Sequence, residues 1–304
     1  MNEAILTLLI KSLKISFAFT FLQVIVIYIP YLFVGKIKRK IISQLLFFNV
    51  FDFILSGIYL FIVIFIFQLL GIVDDNSLFK TQHPVLYFIV GGFAMTLANS
   101  FFALLFPIIL KNQTNRLESL PKYSQLLQNK FGVDIPVYTT KKKCINAFAI
   151  GFFSTNKIIV LGNELIANCN EDEIEAILFH EYAHHKNKDL IHFYLLLITS
   201  CLFFLFFREN FMMFLKSMLP LINDGLAIAI YGGLYGLIFS IIFSRISHNA
   251  EYNADSFSAQ NTSNSSMVEA LRKISFFTEH FIDKGGMTHP SLIKRIDNIM
   301  ATKK

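Results

Sequence analysis

Two histidines four residues apart, with a glutamate directly after the first, form the part of the sequence best suited to chemistry. The segment His180-Glu181-Tyr182-Ala183-His184 places both imidazoles on one face of an α-helix, offset by about 40°. Two imidazoles in this arrangement can bind one zinc ion, and the neighbouring glutamate can take a proton from a water on the metal. The pentapeptide therefore predicts a hydrolytic zinc site with Glu181 as the general base.

The residues around this motif predict the elements that hold it. Asn170 is followed by three acidic residues, which favour a helix start, and apolar residues then recur at helical spacing. Upstream, the β-branched run 157–161 predicts a strand that ends at Gly162. A strand followed by a zinc-binding helix can offer its edge to an extended peptide.

A catalytic zinc site takes three protein ligands and keeps a fourth position open, so another ligand must come from elsewhere in the chain. Glu251 is the favoured candidate, because it begins a polar helix where an apolar segment ends. Asp255 lies one turn further on, placed to accept a hydrogen bond from a ligating histidine. His248 is the rival ligand and an alternative group for stabilising an oxyanion. His185 is rotated by about 140° from His180, which predicts a surface or interfacial role.

The composition predicts a chain embedded in a membrane. Its 304 residues are 54% hydrophobic and only 16% charged, against about 25% charged in soluble proteins. The mean hydropathy is +0.55. A bilayer crossing takes about 20 apolar residues, and five stretches qualify: 16–35, 50–73, 84–110, 189–207 and 225–244. A shorter apolar stretch, 208–222, is predicted to lie at the interface.

Basic residues set the predicted orientation. Lysines and arginines follow the first and third spans, whereas Asp74 and Asp75 follow the second. The positive-inside rule then puts the N-terminus outside and 111–188 in the cytoplasm, and the composition suggests a bacterial cell membrane. The net charge of +6 reflects this bias and attraction to anionic lipid. No basic helix interleaved with aromatics indicates a nucleic-acid partner.

These patterns predict a mainly α, polytopic membrane protein with about five transmembrane helices and a small α+β cytoplasmic catalytic domain, which a transmembrane hairpin splits. The predicted parts are a three-span bundle at 1–110, the first half of the domain at 111–188, the hairpin at 189–244 and the second half at 245–304. In the domain we predict helices at 117–128, 245–259, 266–283 and 290–301, a strand at 133–139, and a strand or turn at 146–151.

Four motifs, in this order, resemble the membrane-integral zinc metalloproteases of the CAAX prenyl protease and HtpX heat-shock protease family. Asn146-Ala147-Phe148-Ala149 resembles the family's substrate strand, and the zinc helix continues into a similar Lys188-Asp189 pair. A third-ligand helix and a closing motif follow, the first at Ser244-Arg245 through Glu251 and Asp255, the second at Thr288-His289-Pro290-Ser291 with Arg295. The resemblance covers about 135–300 of the chain.

The resemblance implies a membrane-embedded endopeptidase, active in membrane-protein quality control or peptide processing. Its partners would be the lipid bilayer and a peptide or membrane-protein substrate. The implied roles are Zn²⁺ ligation by His180, His184 and Glu251, support by Asp255, substrate binding by Asn146, Ala147 and Phe148, and oxyanion stabilisation by Arg295 or His248, with Tyr252 as a substitute.

Two other interpretations stay open. The first is a signalling metalloprotease like the β-lactam-sensing receptors, whose zinc helix continues into a run similar to Lys186-Asn187-Lys188-Asp189. The expectation that no extracellular sensor domain follows argues against it. The second is a non-catalytic membrane scaffold with a structural zinc, and the presence of Glu181 argues against that.

Overall fold

The computed structural model describes residues 3, 5–14, 16–17, 50–70, 97, 101–113 and 115–301. Most of these residues are helical, and a small sheet lies in the middle of the chain. The helices are α1 (Val50–Leu69), α2 (Phe101–Leu104), α3 (Phe106–Lys111), α4 (Pro121–Phe131), α5 (Asn163–Asn168), α6 (Glu171–Lys186), α7 (Asp189–Met218), α8 (Asp224–Asn261), α9 (Asn264–Phe277) and α10 (Leu292–Ala301). The strands are β1 (Leu117–Ser119), β2 (Val137–Thr140), β3 (Ala147–Ile150) and β4 (Ile158–Leu161).

The chain divides into two compact units. One contains the described parts of 1–23, 51–101 and 192–243, and the other contains those of 24–50, 102–191 and 244–304. The second unit holds the sheet and every residue singled out for chemistry. The predicted four-part division of the chain stays a prediction.

The sheet has the strand order β1-β2-β4-β3. Strand β4 pairs in parallel with β2 and antiparallel with β3, with Ala147 opposite Leu161 and Ile150 opposite Ile158. All four residues of β4 are buried, as expected for a strand covered on both faces. Strand β3 lies at the edge of the sheet. Asn146 directly precedes this strand, and Gly151 directly follows it.

One predicted helix was partly wrong. Helix 117–128 begins as strand β1, because Leu117 to Ser119 pair antiparallel with β2. The helix itself starts at Pro121, where a fixed φ and a missing N–H suit a first turn. It ends at Gly132, which adopts a left-handed conformation with φ 68°. The periodicity of the leucines did not distinguish the short strand from the helix that follows.

The larger apolar core of the second unit packs helix α6 against the sheet. Its apolar side chains come from several elements, and Phe179 and Leu178 on α6 are fully buried. Phe131 from α4 meets Phe179 edge to face at 5.1 Å and stacks on Tyr182 at 4.7 Å. The motif helix is therefore held on its inner face by the core, which fixes the direction of its histidines.

The membrane prediction is confirmed in part. Among the described residues, helix α8 is long and apolar enough to cross a bilayer, and α6 with the first half of α7 passes the same test as a pair bent by 45°. Residues 54–69 of α1 form a shorter apolar helix. The count of five spans is not confirmed, since 18–49 and 71–96 lie outside the described residues.

The helices around the predicted hairpin are longer than the sequence suggested. Helix α7 continues to Met218, so most of the stretch 208–222 extends this helix. Its place at the interface stays a prediction. Helix α8 joins the predicted span 225–244 and the predicted helix 245–259 without a break. The residues after α9 form turns until α10 begins at Leu292, so helix 266–283 was predicted too long.

Gly151, at the end of β3, should tolerate no side chain. Its φ is +98°, and a Cβ there would lie 2.2 Å from the backbone oxygen of Asn156. Gly132 is a matched control, because it also has positive φ but open space around it. We expect Gly151→Ala to lower the free energy of unfolding by about 2 kcal/mol or more, and Gly132→Ala by about 1 kcal/mol. Chemical unfolding of the two variants measures both; equal losses would contradict the steric argument.

Candidate active site

Helix α6 is fixed at its first turn and within its length. Its first turn is a capping box, in which Asn170 Oδ1 accepts from Glu173 N and the Glu173 carboxylate accepts from Asn170 N. Lys273 of α9 binds the same carboxylate at 2.6 Å. Ser258 of α8 donates to the Ala176 carbonyl at 2.6 Å, within the helix. The helix carrying the motif and the helix carrying Glu251 are thus joined by a buried hydrogen bond.

His180, His184 and Glu251 meet in one buried cluster. The two Nε2 atoms lie 3.2 Å apart. One Glu251 oxygen is 3.6 Å from His180 Nε2, and the other is 3.6 Å from His184 Nε2. In the part of the chain that the structure describes, these three residues form the group that could hold a metal ion.

The outer nitrogens of both imidazoles face carboxylates. His180 Nδ1 lies 3.0 Å from Asp255 Oδ1, and His184 Nδ1 lies 2.8 Å from Asp189 Oδ2. A carboxylate on Nδ1 holds the proton there, which leaves the Nε2 lone pair for a metal. The hydrogen bond to Asp189 therefore orients the ring of His184 with Nε2 toward the cluster, and Asp255 is the ionic partner beside Nδ1 of His180.

The donor set fits zinc. Tetrahedral zinc with ligands at 2.0–2.1 Å separates them by about 3.3–3.4 Å, close to the observed spacings in the cluster. Glu251 Oε2 is buried and makes no hydrogen bond to the described residues. Its cationic neighbours, Arg295 Nη1 at 3.4 Å and His180 Nε2 at 3.6 Å, leave this oxygen able to bind a closer cation, which fits a metal site.

Arg295 neutralises the carboxylates behind the cluster. Its Nε donates to Asp255 Oδ2 at 2.8 Å and its Nη2 to Oδ1 at 2.6 Å, while Nη1 lies 3.4 Å from Glu251. Burial alone would raise the pKa of both carboxyls, but the charge of Arg295, together with His180 and, at Glu251, His289, lowers the pKa of Asp255 and Glu251. Arg295 therefore helps to keep both residues ionised. Two of its guanidinium nitrogens, Nε and Nη2, are engaged by Asp255.

The electrostatics of the metal-free cluster favour a proton on His180. Burial disfavours the charged ring, yet Asp255 and Glu251 together raise the pKa of His180 to about 10. A metal and this proton compete for the same ring, so metal binding must release a proton and weaken as the pH falls.

The predicted catalytic residue His248 lies apart from this cluster. Its Nε2 is 2.8 Å from the Gly286 carbonyl and 3.3 Å from Ser244 Oγ. Ser247 donates to the Thr288 carbonyl at 2.7 Å, so both residues hold the loop 285–291 on α8. The described contacts of His248 are thus with Ser244 and the loop, its catalytic role stays a prediction, and Glu251 is the third member of the cluster.

His289, in that loop, is the histidine that the sequence argument missed. Its Nδ1 lies 3.1 Å from Glu251 Oε1, and its side chain is 60% exposed. It is the exposed imidazole beside the cluster, open to a ligand from solvent. The closing motif named this residue without giving it a role, and only the fold of the loop brings it to Glu251.

Asp189 was also missed. It directly follows Lys188, whose φ of 59° lies at the 45° bend between α6 and α7. This bend brings a carboxylate five residues after His184 onto the ring of His184. An acidic residue just beyond the end of the motif helix was the available signal in the sequence.

The remaining predicted residues lie around the cluster. Glu181 is 9% exposed, next to His180 on α6. Asn146 directly precedes β3, which contains Ala147 and Phe148, and all three are half-buried. The Asn146 carbonyl accepts from Gly162 N at 2.9 Å, which fixes the backbone where the edge strand begins.

His185 is buried, so the expected surface role was wrong. It is 3% exposed, and its Nε2 lies 3.1 Å from the Ile158 carbonyl of β4. The 140° rotation does turn this ring away from the cluster, but the sheet lies on that side. Burial lowers the pKa of His185 to about 4, although the Ile158 contact opposes the shift.

This low pKa predicts a pH dependence of stability. The unfolded chain binds a proton at His185 near pH 6.5, whereas the folded protein does not until about pH 4. Stability is therefore present above pH 6.5 and falls by about 3 kcal/mol as the pH drops to 4. We expect His185→Gln to flatten this slope and His280→Gln, at an exposed site, to retain it. Thermal unfolding of the metal-free protein between pH 4 and 7 measures the slope; an unchanged slope in His185→Gln would contradict the prediction.

A largely helical chain with a small sheet, whose H-E-x-x-H helix meets a downstream glutamate, has the architecture of a metalloprotease. The chain belongs to peptidase family M48, because the model of that family matches residues 117–303, more than half of its length. The resemblance inferred from the four motifs is thereby confirmed.

Curated relatives carry protease names. Protease HtpX of Haemophilus influenzae (strain PittEE) is 28% identical over 62% of this chain and 74% of its own length. Protease HtpX of Xylella fastidiosa (strain 9a5c) is 43% identical over 16% of each chain. An HtpX homologue from Archaeoglobus fulgidus is 30% identical over 31% of this chain and 29% of its own.

The fold is similar to a solved structure. The crystal structure of S. mikatae Ste24p superposes with a TM-score of 0.56 and 16% identity, over 82% of this chain. The match covers 64% of the Ste24p chain, so this chain spans slightly less than two thirds of it. At this identity the likeness concerns the fold alone.

Proposed function

We propose that this chain is a zinc-dependent endopeptidase of a bacterial cell membrane, with its site on the cytoplasmic side. The observation that carries the proposal is the buried cluster of two Nε2 atoms and one carboxylate, with Asp255 and Asp189 on the outer nitrogens of the rings. Two imidazoles and a carboxylate are the ligand set of many catalytic zinc sites, and zinc would displace the proton that His180 holds in the metal-free protein.

His180, His184 and Glu251 would hold the zinc, which would supply a Lewis acid and activate water for attack. Glu181 would take the proton of the attacking water and pass it to the leaving amine. Arg295 and Asp255 act through His180 and Glu251, whose charge and orientation they fix. His289, exposed beside Glu251, is the imidazole placed to donate a hydrogen bond to the developing oxyanion.

The substrate would be an extended peptide or a segment of a membrane protein. Strand β3 occupies one end of the sheet order, and the edge it presents can accept a peptide as an added strand. Asn146, Ala147 and Phe148 begin this edge and would bind the substrate backbone. Such a site suits removal of damaged membrane proteins or trimming of a peptide at the membrane surface.

Zinc content and proteolysis together test the proposal. We expect the purified full-length protein to bind one zinc ion per chain and to digest casein, with activity lost on chelation and restored by zinc. His184→Ala should lose both the zinc and the activity. Stoichiometric zinc without any proteolysis would support the scaffold interpretation and contradict the proposed enzyme.

A further inference from the structure

The turn between strands β3 and β4 exposes the aromatic side chain of Phe153, which does not pack in the described core. Residues 151–157, the aromatic turn, follow the edge strand and contain Phe152 and Phe153 side by side, with ring centroids 6.4 Å apart. Phe153 is 60% exposed, and Ser154 and Thr155 after it are also exposed. Exposing a phenylalanine to water costs free energy that burial in an apolar medium would recover.

The aromatic turn is held in one conformation. The Asn156 side chain accepts from Phe153 N at 2.8 Å and donates to the Leu104 carbonyl at 3.1 Å. The N–H groups of Asn156 and Lys157 both donate to the Phe153 carbonyl. The backbone at Phe153 is therefore fixed by hydrogen bonds in a position from which the side chain is exposed.

Lysines surround the turn. Lys111 donates to the Thr155 carbonyl at 2.9 Å, and Lys157 donates to the His185 carbonyl at 3.3 Å. Lys188 is exposed and close enough to Lys157 to lower its pKa, after the larger effect of burial. The charge of Asp134 opposes the lowering of the Lys111 pKa by burial, whereas the charge of Lys188 adds to the lowering of the Lys157 pKa.

Chain connectivity places two of these lysines, Lys111 and Lys188, at the ends of apolar segments. The predicted span 84–110 ends directly before Lys111, and Asn156 binds a carbonyl within that span. The predicted span 189–207, inside helix α7, begins directly after Lys188. An exposed aromatic ring beside lysines, at the ends of two such segments, matches the composition of a membrane–water interface.

We propose that the aromatic turn is a contact with the membrane surface, in which Phe153 inserts among the lipids and Lys157 and Lys188 bind anionic headgroups. The inference rests on the proposed membrane insertion of the chain but not on zinc or proteolysis. Each lysine near an anionic surface adds attraction through its charge, and the aromatic ring adds apolar burial. The contact would hold the edge strand β3 at the bilayer, where segments of membrane proteins emerge.

A single tryptophan tests the insertion, because the chain has none of its own. Phe153→Trp is reconstituted as full-length protein in vesicles of phosphatidylcholine and phosphatidylglycerol, with bromine on the acyl chains of the phosphatidylglycerol. We expect blue-shifted emission and strong bromine quenching. The control is Lys142→Trp, at the opposite end of β3 and β4, where emission should be that of a ring in water.

The charge requirement is tested in the same vesicles, with Phe153→Trp as the background. Only phosphatidylglycerol carries bromine, so the quenching measures how strongly this lipid is enriched over phosphatidylcholine around the introduced indole. We expect this preference to fall about fivefold for each of Lys157→Gln and Lys188→Gln. The paired control Lys141→Gln and Lys143→Gln removes two charges at the far end of the strands and should leave the preference unchanged.

Two results would overturn the proposal. One is quenching in Phe153→Trp that is no stronger than the quenching in Lys142→Trp, because the ring would then lie outside the lipid. The other is blue-shifted emission from Phe153→Trp that bromine does not quench, because a protein surface would then cover the ring. Neither result depends on whether the protein binds zinc or cleaves casein, so this test and that of the proposed enzyme can fail separately.

Discussion

Glu181→Gln should abolish peptide hydrolysis while zinc stays bound. Gln keeps the size and polarity of the side chain but cannot take a proton, and a general base contributes about 10²–10⁴-fold to the rate. Zinc retention is expected because Glu181 lies outside the three-residue cluster. The measurements are the turnover of a fluorogenic peptide and the zinc content of the purified variant, determined by atomic emission.

Glu175→Gln is the matched control for this variant. It makes the same change of charge on the same helix, but six residues earlier and on another face. We expect wild-type turnover and zinc content from it. Turnover of Glu181→Gln within a few fold of wild type would rule out the assigned base. Loss of zinc in Glu181→Gln would show that this residue supports the metal site.

The sequence predicted the chemical centre better than its surroundings. The spacing of His180 and His184 follows from helix geometry alone, and so does the one-turn separation of Glu251 and Asp255. Both pairs lie within single helices, so their relative directions did not depend on the tertiary fold. The helix start at Asn170 was predictable for the same reason, since capping is a local interaction.

The contacts that the sequence did not predict depend on loops and packing. His289 reaches Glu251 only because Ser247 and His248 hold its loop against α8. The burial of His185 depends on the sheet that packs against that face of α6. Neither the path of a loop nor the covering of a helix face is encoded in local periodicity, so both required the fold.

Elements that pair or continue over long distances were also harder to predict. Strand β1 has three residues and exists because β2 lies beside it, which no pattern within the leucine-rich segment indicates. Helix α8 continues from an apolar half into a polar half, and the change of composition suggested a boundary that the backbone does not have. Composition marks the environment of a helix more reliably than its ends.

Arg295→Met should destabilise the metal-free protein more than any other single change behind the cluster. The substitution keeps much of the side-chain volume but leaves two buried carboxylates, Asp255 and Glu251, without their cation. Removing one partner from a buried ion pair costs about 3–5 kcal/mol. The control is Lys294→Met, the exposed neighbour, for which we expect almost no change. Thermal unfolding in detergent with chelator present measures both variants.

The pH dependence distinguishes this electrostatic effect from a loss of packing. In the wild type the pKa values of Asp255 and Glu251 are lowered, so their contribution is present above pH 4 and is lost as the pH falls. Without Arg295 the largest effect that opposes the burial of the carboxyls is lost, so their pKa rises and both take up protons more readily in the folded state. The stability deficit of Arg295→Met should therefore be largest near neutral pH and shrink toward pH 4. A deficit that stays constant over this range would mean that Arg295 acts by filling space, and the carboxylates behind the cluster would need another source of neutralisation.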